Sequence, residues 1–256
     1  MPEKFSHSKL ETFNQCPLKY KIKYIDKIKT EQKSIEGFLG AKVHETLEWL
    51  YNLVKKDKIP SIDEIIFHYA RNWENDFDPE IYFIVKQELT MKDYFEKGIK
   101  FLLDYYQKNY PFDDNTIFTE KIISILLDKE ENYRMTGIID RIAYNEEKRE
   151  YEIHDYKTSN TLPTKEKIET DKQLPLYSIA IKNDYNADKI QLIWHYLAYN
   201  KKIYSRRTDE QLIQLKKETL ELIKKIENTK FFPYNKSALC DWCEYKNRCM
   251  AFGNRI

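Results

Sequence analysis

Apolar positions recur along this chain at two different periods, and the change of period divides it. From Ala41 to Lys55, Val43, Leu47, Leu50 and Val54 fall on one stripe at helical spacing. His44 and Glu48 then share a neighbouring face. Upstream, Ser6 to Lys29 reads as helix, and Ser8 followed three residues later by Glu11 is a capping-box signature for its start. Pro17 splits that segment in two, because proline suits a first helical turn and disfavours helix in the residue before it. Cys16 is thereby left at the corner. A linker containing Gly37 and Gly40 leads to the next helix. Helical spacing returns over 62–110, with Phe67, Trp73, Phe95, Leu102, Tyr105 and Tyr106 as packing residues.

The period then shortens to two. Thr116–Leu127, Tyr133–Asn145 and Glu150–Thr158 are rich in Ile, Tyr and Thr and predict three strands in an antiparallel meander. A polar loop from Ser159 leads to a helix around Gln173–Lys182, where Pro175 is tolerable only near the start. Lys189–Ala198 predicts another strand and Lys202–Arg206 an edge strand. Thr208 with Gln211 caps a helix running to about Asn228. The order gives an α/β domain over 1–256: N-terminal helices (1–36) with Cys16, a helical insertion (60–110), a mixed sheet of about five strands (116–206) flanked by helices, and a C-terminal helix with a cysteine-bearing tail (208–256).

Charge adds little at the scale of the whole chain. Lys plus Arg number 43 against 42 Asp plus Glu, a net charge of +1, so any polyanion site must be local. Lysines crowd the start (Lys19, Lys21, Lys23, Lys27, Lys29) and the late helix (Lys216, Lys217, Lys224, Lys225), and each run alone reads as a solvated face. The opening residues have no apolar signal core, and no stretch is long and apolar enough for a membrane span. A cytoplasmic protein without membrane contact is expected. In a reducing compartment four cysteines point to metal or redox chemistry rather than to disulfides.

The chemistry-bearing residues lie on the predicted strands. In Tyr151-Glu152-Ile153-His154-Asp155-Tyr156-Lys157, alternation puts Asp155 and Lys157 on one face, which Ile153 and Tyr151 continue as apolar packing. Asp140, in Gly137-Ile138-Ile139-Asp140, is flanked at its two-residue neighbours by Ile138 and Ile142. Charges beside apolar neighbours need partners, and a metal ion is one way to supply them. A four-residue loop over Glu146–Arg149 sets Asp140 opposite Asp155, whereas a five-residue loop would put them on opposite faces. Two carboxylates so close suit Mg²⁺ or Mn²⁺, and Lys157 beside them can act on an attacking water and a phosphate. A hairpin ion pair of no great consequence is the alternative for these residues alone.

Taken in order, Gly40 to Glu48 with His44, Gly137 to Asp140, Asp155-Tyr156-Lys157, and Gln173-Leu174-Pro175-Leu176-Tyr177 resemble the PD-(D/E)XK nuclease superfamily, and within it the RecB-like branch. The resemblance implies a restriction-endonuclease-like core. It also implies a metal held by His44, Asp140, Asp155 and the carbonyl of Tyr156, with Lys157 catalytic and Gln173 and Tyr177 near the reaction. Glu120 matches an acidic position on the first strand of such nucleases and has a supporting role.

Cys240, Cys243 and Cys249 form C-x₂-C-x₅-C, with Cys16 far upstream. Spacing alone leaves zinc and an iron–sulfur cluster open. The segment Ser6 to Tyr20 resembles the start of AddB-type and CRISPR-adaptation nucleases, where one early and three late cysteines hold a 4Fe–4S cluster, and this implies the same structural cluster here. The function so implied is a metal-dependent DNase, an exonuclease on single-stranded DNA or DNA ends. The alternatives are a nuclease subunit of a larger repair or CRISPR-adaptation complex, with any helicase a separate chain, or a non-catalytic DNA-binding subunit. Tyr20, Tyr24 and Trp242 can serve as base-stacking or as packing residues.

Overall fold

The computed structural model describes residues 5–253 apart from 31, 129, 131 and 132; residues 1–4 of the N-terminal segment and 254–256 of the tail lie outside the described residues. Its centre is a six-stranded mixed sheet. The meander comprises β4 (Thr116–Leu126), β5 (Arg134–Asn145) and β6 (Glu150–Lys157), all antiparallel. β7 (Ile190–Tyr196) joins β6 in parallel, and β8 (Lys201–Ser205) closes that edge antiparallel. The α/β class and the mixed sheet are as the sequence predicts. One strand is additional: β1 (Phe5–Ser6) pairs in parallel with Met135 and Thr136 of β5. Two residues are too short for alternation to reveal.

The helices lie on both faces. α1 (His7–Gln15), α7 (Gln173–Tyr185) and α8 (Asp209–Asn228) contribute to a core with Ile139, Ile142, Ile153 and Trp194. α3 (Ile35–Val54), α4 (Ile62–Asp76) and α5 (Met91–Asn109) form a second core with Tyr156 and Leu197. Pro17 starts the short α2 (Pro17–Tyr20) at its first turn, and Cys16 is the extended corner residue before it. The cap of α1 is Ser6, whose hydroxyl accepts from the Lys9 amide, and not the expected Ser8. Thr208 and Gln211 form the expected capping box of α8. A short α6 (Lys165–Glu169) occupies part of the polar loop.

Two further expectations are corrected. Gly37 and Gly40 lie within α3 rather than in a linker, because Ser34 caps the helix upstream of both. The 62–110 segment is interrupted over 77–90, where β3 (Tyr82–Phe83) pairs with β2 (Lys33–Ser34). Phe67, expected to pack, is 70% exposed, whereas Trp73, Leu102 and Tyr105 are buried. Tyr20 is buried in the core and packs edge-on against Phe13, so it is a packing residue. Among the described residues no helix is long and apolar enough to cross a membrane.

Candidate metal centre

β1 and β6 lie end to end along the same side of β5. β1 pairs at Met135 and Thr136, and β6 pairs from Arg141 onward. Between them β5 carries Gly137 to Asp140 past a fork in the sheet. The hairpin loop is the four-residue one, with Asn145 opposite Glu150 and Arg141 opposite His154, so Asp140 comes level with Asp155. Beyond that point the Tyr156 amide donates to Asp140 Oδ2 at 2.8 Å.

The strand faces also change hands at this level. On β5, Met135 and Ile139 face the α7-side core, and so does Ile142; on β4, Phe118 faces it, and so do Ile123 and Ile125. An odd-to-even change on both strands requires a local departure from alternation. It occurs at Glu120, whose φ of 45° is left-handed, opposite Asp140. Lys121 Nζ accordingly lies 4.6 Å over the Phe118 ring, three positions away along the strand. Ile138, expected to be an apolar flank of Asp140, is instead 49% exposed for the same reason.

Helix α3 approaches the end of β6 closely at Gly40, where a Cβ would stand 3.1 Å from Thr158 Oγ1. One turn on, His44 Nε2 lies 2.7 Å from the Tyr156 carbonyl oxygen, and its Nδ1 3.4 Å from Asp140 Oδ2. His44, Glu120 and Asp140 bring ligand atoms within 4.8 Å of one another. Glu120 is therefore drawn into the centre more closely than its expected supporting role. Asp155, expected as a ligand, is not one of this trio; its Oδ2 lies 2.7 Å from Lys157 Nζ. Lys157 also donates to Gln173 Oε1 at 3.0 Å. Tyr177, one turn along α7, packs its ring where a Cβ on Gly137 would come within 2.4 Å. Each motif glycine thus admits a particular neighbour: Gly40 admits Thr158, and Gly137 admits Tyr177.

The electrostatics describe a site short of positive charge. Burial pushes the Asp155 carboxyl up to about 6, with Lys157 opposing and Asp140 adding to the rise. Burial, then Asp140 and Glu48, push Glu120 up to about 6. Burial also acts against the charge on His44, but Asp140 outweighs it and holds the imidazole up to about 9. Asp140 stays below the usual carboxylate range despite burial, through His44, the Tyr156 amide and Lys157. One imidazole nitrogen, several carboxylate oxygens and a carbonyl oxygen form a hard donor set, which fits Mg²⁺ or Mn²⁺.

The cysteines occupy the other end of the N-terminal helices. Cys16, Cys240, Cys243 and Cys249 line one cavity with Leu18, Ile22 and Tyr245. The tail is fastened there by Lys19 to Glu244 at 2.8 Å, by Asn235 Nδ2 to the Gln15 carbonyl at 2.9 Å, and by the Leu18 amide to the Pro233 carbonyl at 3.0 Å. Among the described residues no three thiols come within 4.8 Å of one another. Cys243 is pushed up, chiefly by burial.

No curated protein matches the chain. A solved structure titled "Crystal structure of SSO0001" is similar over 74% of this chain and 96% of its own, at 15% identity and a TM-score of 0.36. The family model of the PD-(D/E)XK nuclease superfamily matches residues 4–250. The chain belongs to the PD-(D/E)XK nuclease superfamily, whose members are nucleases, generally metal-dependent phosphodiesterases that use Mg²⁺ or Mn²⁺.

Proposed function

We propose that the chain, as one nuclease domain, degrades DNA as a RecB-like exonuclease acting on single strands or free ends, with a structural 4Fe–4S cluster on its four cysteines. The observation that carries the reading is the convergence of four separated sequence segments on one fork of the sheet: His44, Asp140, Asp155 to Lys157, and Gln173. His44, Asp140, Asp155 and the Tyr156 carbonyl would hold the metal, with Glu120 adjoining. A bound Mg²⁺ or Mn²⁺ would supply Lewis acidity toward the phosphate and a more acidic water.

The protein's own groups do the positioning. Lys157 is kept cationic by Asp155 although burial opposes its charge. Its ammonium, steadied by the Gln173 amide oxygen, can orient a water and offset negative charge on a phosphate in the transition state. Tyr177 fixes the first turn of α7 and hence Gln173. With a net charge of +1, DNA contact would be local to this centre rather than spread over a basic surface.

For the cysteines, the support is that Cys16, Cys240, Cys243 and Cys249 line one cavity between the N-terminal helices and the tail. Closing a loop from Cys16 to the tail also restrains nearly the whole chain.

Release of nucleotides from end-labelled single- and double-stranded DNA, with Mn²⁺ and with EDTA, tests the activity. Metal-dependent cleavage by the wild type and a loss of at least a hundredfold in Asp155→Ala and Lys157→Ala is expected; equal activity in all three rejects the site, and DNA binding without cleavage marks a non-catalytic subunit. Anaerobic purification with a visible spectrum and iron and sulfide assays tests the cluster, and a colourless zinc protein rejects it while leaving the nuclease reading intact.

A further inference from the structure

Every residue that forms the metal centre on β5 and β6 has an immediate neighbour pointing to the opposite face, and those neighbours form a buried polar network. Arg141, next to Asp140, is fully buried. Its Nε donates to the Tyr156 hydroxyl at 3.0 Å and its Nη1 to Thr116 Oγ1 at 2.9 Å; Nη1 also pairs with Asp114. Nη2 lies 2.8 Å from His154 Nδ1, and the guanidinium stacks 4.0 Å over the Tyr51 ring. The Tyr156 hydroxyl reaches Tyr105 at 3.3 Å, which in turn reaches the Tyr51 hydroxyl at 2.7 Å.

The connectivity is selective. Tyr51 lies on α3, two turns beyond His44; Arg141 follows Asp140; His154 precedes Asp155; and Tyr156 is the residue whose amide and carbonyl face Asp140 and His44. One guanidinium therefore ties together the three elements that carry the metal ligands. A buried charge demands such partners, and the planar five-donor fork of arginine fixes their directions as a lysine would not.

We infer that Arg141, acting through the Tyr156 side chain, is a positioning residue for the metal centre. It sets the place of the Tyr156 carbonyl and of Asp140 relative to His44 from the reverse face of the sheet, and touches neither metal nor DNA. The inference rests on the reading of His44, Asp140 and the Tyr156 carbonyl as metal ligands. Outer groups that orient metal ligands change affinity by about 10–100-fold when removed.

The test measures Mn²⁺ affinity of the full chain from the free-ion paramagnetic resonance signal, with no substrate present. Arg141→Met and Tyr156→Phe are compared with Asp140→Asn and with Ile223→Ala, a buried α8 position in the core on the sheet face opposite the Arg141 network. Expected is a loss of about tenfold or more in Arg141→Met and Tyr156→Phe, while Ile223→Ala lowers the melting temperature and keeps wild-type affinity. Should Arg141→Met fail to fold, Tyr156→Phe, which removes one hydroxyl, decides. Wild-type affinity in the folded variants overturns the inference alone. A wild type that binds no Mn²⁺, or an Asp140→Asn that binds as tightly, overturns the metal reading and this inference with it.

Discussion

At the scale of single residues, His44 gives the sharpest prediction, because under the proposed ligand set a proton and a metal would compete for one imidazole. Its folded value of about 9 lies above the ordinary 6.5, so in the metal-free chain it contributes stability that is full below about pH 6.5 and is lost as pH rises through 9. An imidazolium cannot ligate, so metal binding must release that proton. Mn²⁺ affinity is expected to climb by up to about tenfold per pH unit from 6.5 to 9 as one proton is displaced, and anaerobic titrations across that range check it. An affinity unchanged with pH, or a dependence that persists in His44→Gln, would contradict the assignment. Gly137 gives a second test. A methyl there collides with the Tyr177 ring, and overpacking of this kind costs about 1–3 kcal/mol. Gly137→Ala should unfold at lower denaturant, and Tyr177→Ala should relieve the deficit when the two are combined.

At the scale of elements, the hairpin between β5 and β6 decides whether a site exists. One residue inserted between Glu146 and Arg149 would turn Asp155 and Lys157 to the face now holding Tyr156. Such a variant is expected to lose Mn²⁺ binding and to melt earlier, and a binding isotherm matching wild type would show that the register can repair itself. This hairpin was legible in the sequence because strand alternation and loop length together leave few choices. The interruption within 62–110 was less so, although Pro79 and the run Ile81 to Val85 were a strand signal set among helical neighbours. The resemblance pointed to Glu120, but the backbone step that turns it was not readable: a left-handed residue in a strand has no signature when it is neither Gly nor Asn. Nor was the Arg141 network, since a charged residue in a strand reads as solvent-facing until the opposite face is seen to be covered by α3 and α5.

At the scale of the whole molecule, the N-terminal helices meet the cysteine-bearing tail. Tyr245 is buried against Leu18 and Ile22, and its hydroxyl donates to the Ile28 carbonyl at 3.1 Å, so the tail leans on the N-terminal helices by packing as well as by ion pairs. The 3-10 turns of the tail are short and bury little of their own. Replacing Cys16 or Cys243 by Ser is therefore expected to expose Lys236, Lys246 and Arg248 to trypsin well before the sheet is cut. Mass spectrometry of a limited digest reads this directly, and an unchanged cleavage order would mean that the thiols do not brace the tail.

The left-handed step at Glu120 has a consequence for how β4 and β5 find their alignment. A ladder of uniform alternation can slide by two residues and still present oily side chains to the same side, and the doublets Ile122-Ile123 and Ile138-Ile139 invite such slippage. Because the faces swap partway, a slid ladder would satisfy one half only by violating the other. The kink thus works like a key in its slot: Glu120 and Asp140 can arrive side by side in one alignment, and that alignment is the one His44 meets.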